Sequence, residues 1–417
     1  MTVTLDREAA QRHTVRTLMV TQVLSGVGLA AGATVGSILA EKISGRTDFA
    51  GLGGTFQTLG AALFAIPVAA LAHRAGRRPS LTFAYAVAVL GALGIVAAAV
   101  AGSFALLLAG CLLLGCATAA NSAARYAAAD LALPAHRGRD LSLVVWVTTV
   151  GSILGPNLTA PARPLARALG VDELAGPFVI GAIVLTVGAV VMWARLRPDP
   201  LLLARALAPV DEEPARGSVR RGLSAIRASR RATAAVGVTA LGHMVMVSLM
   251  VMTPLHMVHG HASLEIVGFV ISGHILGMFA LSPLMGIAVD RVGAGRVAIG
   301  GGLLLLLATF LAGRSAIGYS HDLALGLFVL GVGWSATLVS GSALLVASIP
   351  IPRRAGAQGV SDLVMGMAAA SGGALAGVVV DQWGYARLAQ FCALLAVAVV
   401  LLGLLIRRSE AAATAVR

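Results

Sequence analysis

The segment His243–Met278 reads HMVMVSLMVMTPLHMVHGHASLEIVGFVISGHILGM and gathers soft and borderline metal donors. Met246 and Met250 stand four residues apart, as do His274 and Met278, so each pair shares one face of a helix. Thioether sulfur and imidazole nitrogen suit Cu(I). Neutral methionines strip a monovalent ion of water without introducing buried negative charge, and they hold it loosely enough to release it. Zn(II) more often recruits thiolate or carboxylate, and neither is placed alongside these residues. A second reading stands beside the first, because methionine also fills apolar gaps and a methionine-lined cavity suits varied drugs.

These donors must be held by elements that suit the composition. Of 417 residues 58% are hydrophobic and 12% charged, far fewer charges than a soluble domain carries, and the 50 glycines suit helices packed backbone to backbone in lipid. Twelve apolar stretches long enough to cross a bilayer lie at roughly 17–40, 49–72, 79–101, 104–132, 141–160, 177–194, 233–258, 265–289, 297–313, 322–349, 355–380 and 386–406. The one long polar interruption follows the sixth, which predicts an N-terminal six-helix bundle over 1–197, a linker over 198–232 and a C-terminal bundle over 233–417.

The donor pairs fall on the seventh and eighth spans. Met250 and His274 are each 12 residues from Ala262, and Met246 and Met278 are each 16. Antiparallel neighbours would bring the pairs to matching depths, roughly 18 and 24 Å below the outer turn. The first depth is near the midplane, where an ionisable ring is costly and functional by default. His256, His259 and His261 at the outer mouth are candidate metal-entry residues or solvated loop residues.

The formal charge of +13 would suggest a nucleic-acid partner in a soluble protein, but here the arginines lie between apolar spans. With the N-terminus inside, the inner segments carry Arg7, Arg12, Arg16, Arg74, Arg77, Arg78, Arg137, Arg139, the central loop, Arg291, Arg296, Arg353, Arg354, Arg407, Arg408 and Arg417. The outer loops keep Lys42, Arg46, Arg163, Arg167, Arg314 and Arg387. This bias places both termini in the cytoplasm of a bacterial-type inner membrane. No cleavable leader is expected, and Cys111, Cys116 and Cys392 fall inside apolar runs, against a disulfide framework. Arg125 and Asp130 in helix four, and Asp362 in helix eleven, are candidate proton-coupling groups or structural ion pairs.

Two loops between second and third helices share a signature. The second reads Gly286-Ile-Ala-Val-Asp290-Arg291-Val-Gly293; the first reads Ala69-Ala-Leu71-Ala-His73-Arg74-Ala-Gly76-Arg77-Arg78. The pair resembles the glycine–aspartate–arginine–glycine loop of the major facilitator superfamily, over the whole chain. In the first copy Ala69 replaces the glycine and His73 the acid. Helix five carries Gly151-Ser-Ile-Leu-Gly155-Pro156, which looks like the superfamily's antiporter motif and equally like a small-residue packing face with a proline kink. The resemblance implies an all-α membrane protein with the major facilitator fold: twelve transmembrane helices in two pseudo-symmetric six-helix bundles.

Methionine-xxx-methionine on helix seven with histidine-xxx-methionine on helix eight resembles the CcoA-like copper importers of that superfamily, which supply copper for cytochrome c oxidase assembly. The resemblance implies that Met246, Met250, His274 and Met278 are the copper ligands or its relay. The leading expectation is a secondary transporter importing Cu(I) by alternating access. The alternative is a proton-coupled multidrug or small-molecule exporter, and a third is a transporter-like receptor that binds metal without moving it. No enzymatic activity, no cofactor and no nucleic-acid partner is expected; the chain should act as a monomer in the lipid bilayer, with copper or a small molecule as substrate.

Overall fold

Serine side chains start two of the membrane helices. Ser103 accepts from the Leu106 N–H at 3.3 Å and Ser320 from the Leu323 N–H at 3.1 Å, each satisfying a donor that the first turn leaves open. The computed structural model describes residues 2–45, 49, 52–207, 219–262 and 264–415. Among these residues the regular structure is helical and no strand occurs. The helices are α1 (Thr2–Ser44), α2 (Leu52–Ala75), α3 (Arg77–Ala101), α4 (Phe104–Ala127), α5 (Arg137–Asn157), α6 (Thr159–Ala168), α7 (Gly176–Arg195), α8 (Pro200–Ala206), α9 (Val219–Ala228), α10 (Arg230–His259), α11 (Leu264–Phe279), α12 (Ser282–Val292), α13 (Ala294–Arg314), α14 (His321–Ser348) and α15 (Ile351–Ala415).

Nine stretches among the described residues are long and apolar enough to cross a bilayer. One of them, Ile351–Arg408, holds two of the expected crossings, because Gly384 at φ 80 joins two helices within α15. Helices α1 and α5, whose side chains are described only in part, complete the twelve. The eighth crossing, Phe269–Val292, runs through α11 and α12 and is interrupted between Phe279 and Ser282, where α12 starts with Pro283 in its first turn. The chain is an all-α membrane protein with the twelve-helix, two-bundle architecture that the sequence predicts.

By contact, the chain divides into two units. The first comprises residues 1–132, 147–223 and 351–363; the second comprises 133–146, 224–350 and 364–417. In the second unit α14 is the central helix. It packs along α10, α11 and α13, and its stretch from Leu330 to Val346 is buried throughout.

Helix α1 begins at Thr2, so the apolar stretch expected at 17–40 continues charged first turns of the same helix. One local expectation is corrected. Asp130 does not lie in helix four: α4 ends at Ala127, and the Ala129 and Asp130 N–H groups bond back three residues in a tight turn. That turn carries the Asp130 carboxylate to the start of α3, where an arginine holds it.

Candidate functional site

The donor pairs belong to the second unit, and the element that positions them is α14. His274 is 1% exposed, and its Nδ1 lies 2.8 Å from the Leu327 carbonyl oxygen of α14. A carbonyl only accepts, so Nδ1 carries the proton. The neutral ring then presents its lone pair at Nε2, which is out of solvent reach and without a hydrogen-bond partner among the described residues. This is how proteins prepare an imidazole as a metal ligand: one nitrogen is tied to a carbonyl so that the other is free to coordinate.

Two glycines allow that approach. A Cβ on Gly331 of α14 would strike the His274 carbonyl oxygen and come within 2.7 Å of the Met278 nitrogen. A Cβ on Gly277 of α11 would strike the Phe328 carbonyl. Only backbone-to-backbone contact brings Leu327 within reach of His274.

Helices seven and eight do not pack along each other as the sequence suggested. Each packs along α14, which stands between them. Trp334 of α14 joins the two: its Nε1–H donates to His243 Nδ1 on α10 at 2.7 Å, and its ring meets Phe279 of α11 edge-on at 5.6 Å. The glycine contacts fix the register more closely: Gly242 of α10 meets Thr337, and Gly331 meets the backbone from His274 to Met278. At about 1.5 Å per residue along the three helices, Met246 and Met278, and likewise Met250 and His274, then fall within about 3 Å of each other in depth. Met246 is buried, and Met250 and Met278 are half-buried.

The helices that carry and position these donors are uncharged along the donor region. No Asp, Glu, Lys or Arg occurs from Ala232 to Val258 in α10, from Ile266 to Met278 in α11 or from Leu323 to Ser348 in α14. Among the described residues, no three His, Cys, Asp or Glu side chains cluster as a metal site, so a metal here would depend on thioethers. Cys111, Cys116 and Cys392 are buried free thiols.

The other histidines fall into different settings. His256 stacks on Tyr385, ring centroids 4.2 Å apart, and its Nε2 lies 3.2 Å from both Ser315 Oγ and the Ala316 carbonyl. Thr253 hydrogen-bonds the Tyr385 hydroxyl at 2.7 Å, so this end of α10 is tied to two other segments. His261 is exposed in the turn, at φ 60. The His259 side chain lies outside the described residues.

In the first unit, both candidate proton carriers hold arginines. Asp130 accepts from Arg77 Nε at 2.8 Å and Nη2 at 3.4 Å, with Arg354 Nη1 at 3.9 Å. Arg77 also donates to Gln358. Asp362 accepts from Arg125 at 2.6 Å, and Arg125 reaches the Tyr126 hydroxyl at 3.1 Å. Arg354, Gln358 and Asp362, spaced four apart, form a stripe along the first turns of α15. Nothing in the loop motif marks Arg77 as almost fully buried, since it stands among other arginines of the same loop.

The loop motifs also differ. Asp290 accepts from the Gly138 and Arg139 N–H groups, both at 2.8 Å, and so caps α5 as an acid favoured at a helix N-terminus. Gly286 packs on Gly138 and Ser142, Gly293 turns the chain at φ 92, and Arg291 is exposed. In the first copy Arg74 is exposed and Gly76 turns the chain at φ 93. There Asp199, beyond helix six, accepts from the Arg78 N–H at 2.8 Å and so caps the start of α3. In helix five, a Cβ on Gly151 would come within 2.6 Å of Gly26 Cα, a packing contact with α1. The side-chain positions of Gly155 and Pro156 lie outside the described residues.

The family model described as Major Facilitator Superfamily matches residues 18–265 and 235–416. The chain is similar to YdeG of Bacillus subtilis (strain 168), an uncharacterized MFS-type transporter, with 38% identity over 384 residues, covering 92% of this chain and 89% of YdeG. It is also similar to the riboflavin transporter RfnT of Brucella anthropi, 27% identical over 365 residues, covering 86% and 87%. Among solved structures, the human organic anion transporter MFSD10 aligns with a TM-score of 0.72 at 17% identity, over 94% of this chain and 99% of that one. That likeness shows the fold alone.

Proposed function

The chain belongs to the Major Facilitator Superfamily of membrane transporters, and on that premise we propose that it imports Cu(I) by alternating access, with Met246, Met250, His274 and Met278 as donors. The observation that carries this reading is the tautomer of His274, whose Nε2 lone pair is buried and without a hydrogen-bond partner among the described residues. The absence of charge along three helices supports it. A soft monovalent ion bound by neutral donors brings one charge into that region, whereas a divalent ion would need carboxylates or thiolates. The resemblance to the CcoA-like importers rests on the same four residues. The bias of arginines between spans supports an inner-membrane protein with both termini cytoplasmic.

Labelled-copper uptake into proteoliposomes tests this. His274→Ala and Met246→Leu should each lower uptake at least about tenfold, as lost ligands do. Uptake equal to the native protein in both variants ends the copper reading.

A second reading is a carrier of a planar heteroaromatic solute. The likeness to a riboflavin transporter favours it, as does the aromatic group of Trp334, Phe279 and His243, which offers ring faces beside the donors. Labelled riboflavin uptake that depends on Trp334 and ignores copper would establish it.

A further inference from the structure

His243 is a nitrogen donor within the span of α10 that the four-residue site leaves out. It lies near the middle of α10, about 20 Å from Arg230 along the axis. His243, Met246 and Met250 occupy positions i, i+3 and i+7 and so share one face of the helix. The same periodicity turns Met244 away, and its side chain packs against Gly372 of α15. Donors thus follow one another down α10 at steps of one turn, about 4.5 to 6 Å, with His243 last and farthest from the outer turn.

Its hydrogen bond is the mirror of the one at His274. The indole Nε1–H of Trp334 only donates, so His243 Nδ1 accepts and presents a lone pair. One helix, α14, therefore holds both rings in opposite ways. The Leu327 carbonyl accepts the His274 Nδ1–H and leaves the Nε2 lone pair exposed, while the Trp334 N–H, seven residues on, donates to the Nδ1 lone pair of His243 and covers it. A covered lone pair suits a station where an ion stops briefly, because binding there must first displace a hydrogen bond worth about 1 kcal/mol.

We propose that His243 is an inner cargo-binding station for the transported cation, loaded from Met246 when the ion displaces the Trp334 N–H from Nδ1. This deepens the copper reading and rests on it. In the step one metal–nitrogen bond forms, one metal–sulfur bond breaks and one hydrogen bond is lost; no proton or electron is transferred. Trp334 acts as a positioning residue, keeping His243 in one tautomer until the ion arrives.

Silver(I), a soft monovalent stand-in that does not change oxidation state here, provides the test. It is titrated into the full-length protein in nanodiscs while tryptophan emission is recorded, and retained silver is measured by equilibrium dialysis. The Trp334 contribution is the difference between native protein and Trp334→Phe. The native protein should retain silver and shift its Trp334 emission as the indole N–H is released. His243→Asn keeps an acceptor for that N–H but removes the nitrogen ligand. It should still retain silver, lose the emission shift, and slow copper uptake about tenfold.

Silver retained by the native protein and lost in His274→Ala, with Trp334 emission unmoved, overturns the inner station and leaves the copper site standing. An emission shift that persists in His243→Asn, or uptake in that variant within twofold of native, also overturns it. A native protein that retains no silver removes the copper reading and this station together.

Discussion

Replacing Gly331 by alanine tests whether α14 sets the donor geometry of α11. The added Cβ would sit 2.7 Å from the Met278 nitrogen, where ordinary contact begins at 3.4 Å, and it would also strike the His274 carbonyl. Both partners are helix backbone, so neither can rotate away; the closer one, the His274 carbonyl oxygen, requires the helices to part by about 1 Å. The 2.8 Å bond from His274 Nδ1 to the Leu327 carbonyl would then open to about 3.8 Å, beyond the range of a normal N–H···O bond. Overpacking of this kind costs roughly 1–3 kcal/mol of stability. Losing the carbonyl that orients a ligating imidazole lowers metal affinity by about 10- to 100-fold. Silver(I) retention by equilibrium dialysis, read beside a melting curve, separates the two effects. The control is Gly273→Ala: this glycine precedes His274, and a Cβ there meets nothing within 4 Å. If Gly331→Ala retains silver within twofold of native, or Gly273→Ala is equally damaging, α14 does not set the geometry of His274.

Asp362→Asn should lower the melting temperature sharply, because it leaves Arg125 buried and uncompensated at a cost of about 3–5 kcal/mol; pairing it with Arg125→Gln should recover most of the loss. Asp290→Asn should cost about 1 kcal/mol by weakening the cap on α5, whereas the exposed Arg291→Gln should stay within about 0.5 kcal/mol in the same melts. Outside the membrane, the hydrogen bond from Lys42 holds the Asp172 carboxyl below the usual carboxylate range. Its stabilisation is therefore present above the unfolded value, about pH 4, and fades as pH falls through the lower folded value. Melting curves of native protein and Asp172→Asn should accordingly converge at the most acidic pH and separate as it rises, with the native protein the more stable.

The helices were legible because lipid leaves so few alternatives. Each run of about 20 apolar residues must become a helix, since nothing else satisfies its backbone groups, and the runs before Gly102 and Gly384 end where those glycines end helices. Helix four was read too long because Ala128 and Ala129 are apolar, and hydropathy does not register a turn whose N–H groups bond back three residues. The spacing of Met246, Met250, His274 and Met278 was visible for the same reason that heptads are: side chains four apart share a face.

What holds those donors was not legible. The partner of His274 is the carbonyl of Leu327, a group every residue owns, so no residue type 53 positions away marks it. Gly331 looks in sequence like any of 50 glycines, and its role appears only when a Cβ there meets the backbone of α11. Trp334 reads as a lipid-facing or packing aromatic until its N–H is found on His243. In each case the information lies in backbone geometry between distant segments, which periodicity cannot encode. The donors follow a local pattern, while their tautomers follow from α14. It follows that grafting Met-xxx-xxx-xxx-Met and His-xxx-xxx-xxx-Met onto another bundle should not by itself create a soft-metal site. A carbonyl within about 2.8 Å of the imidazole, reached through a glycine contact, must be carried across with it.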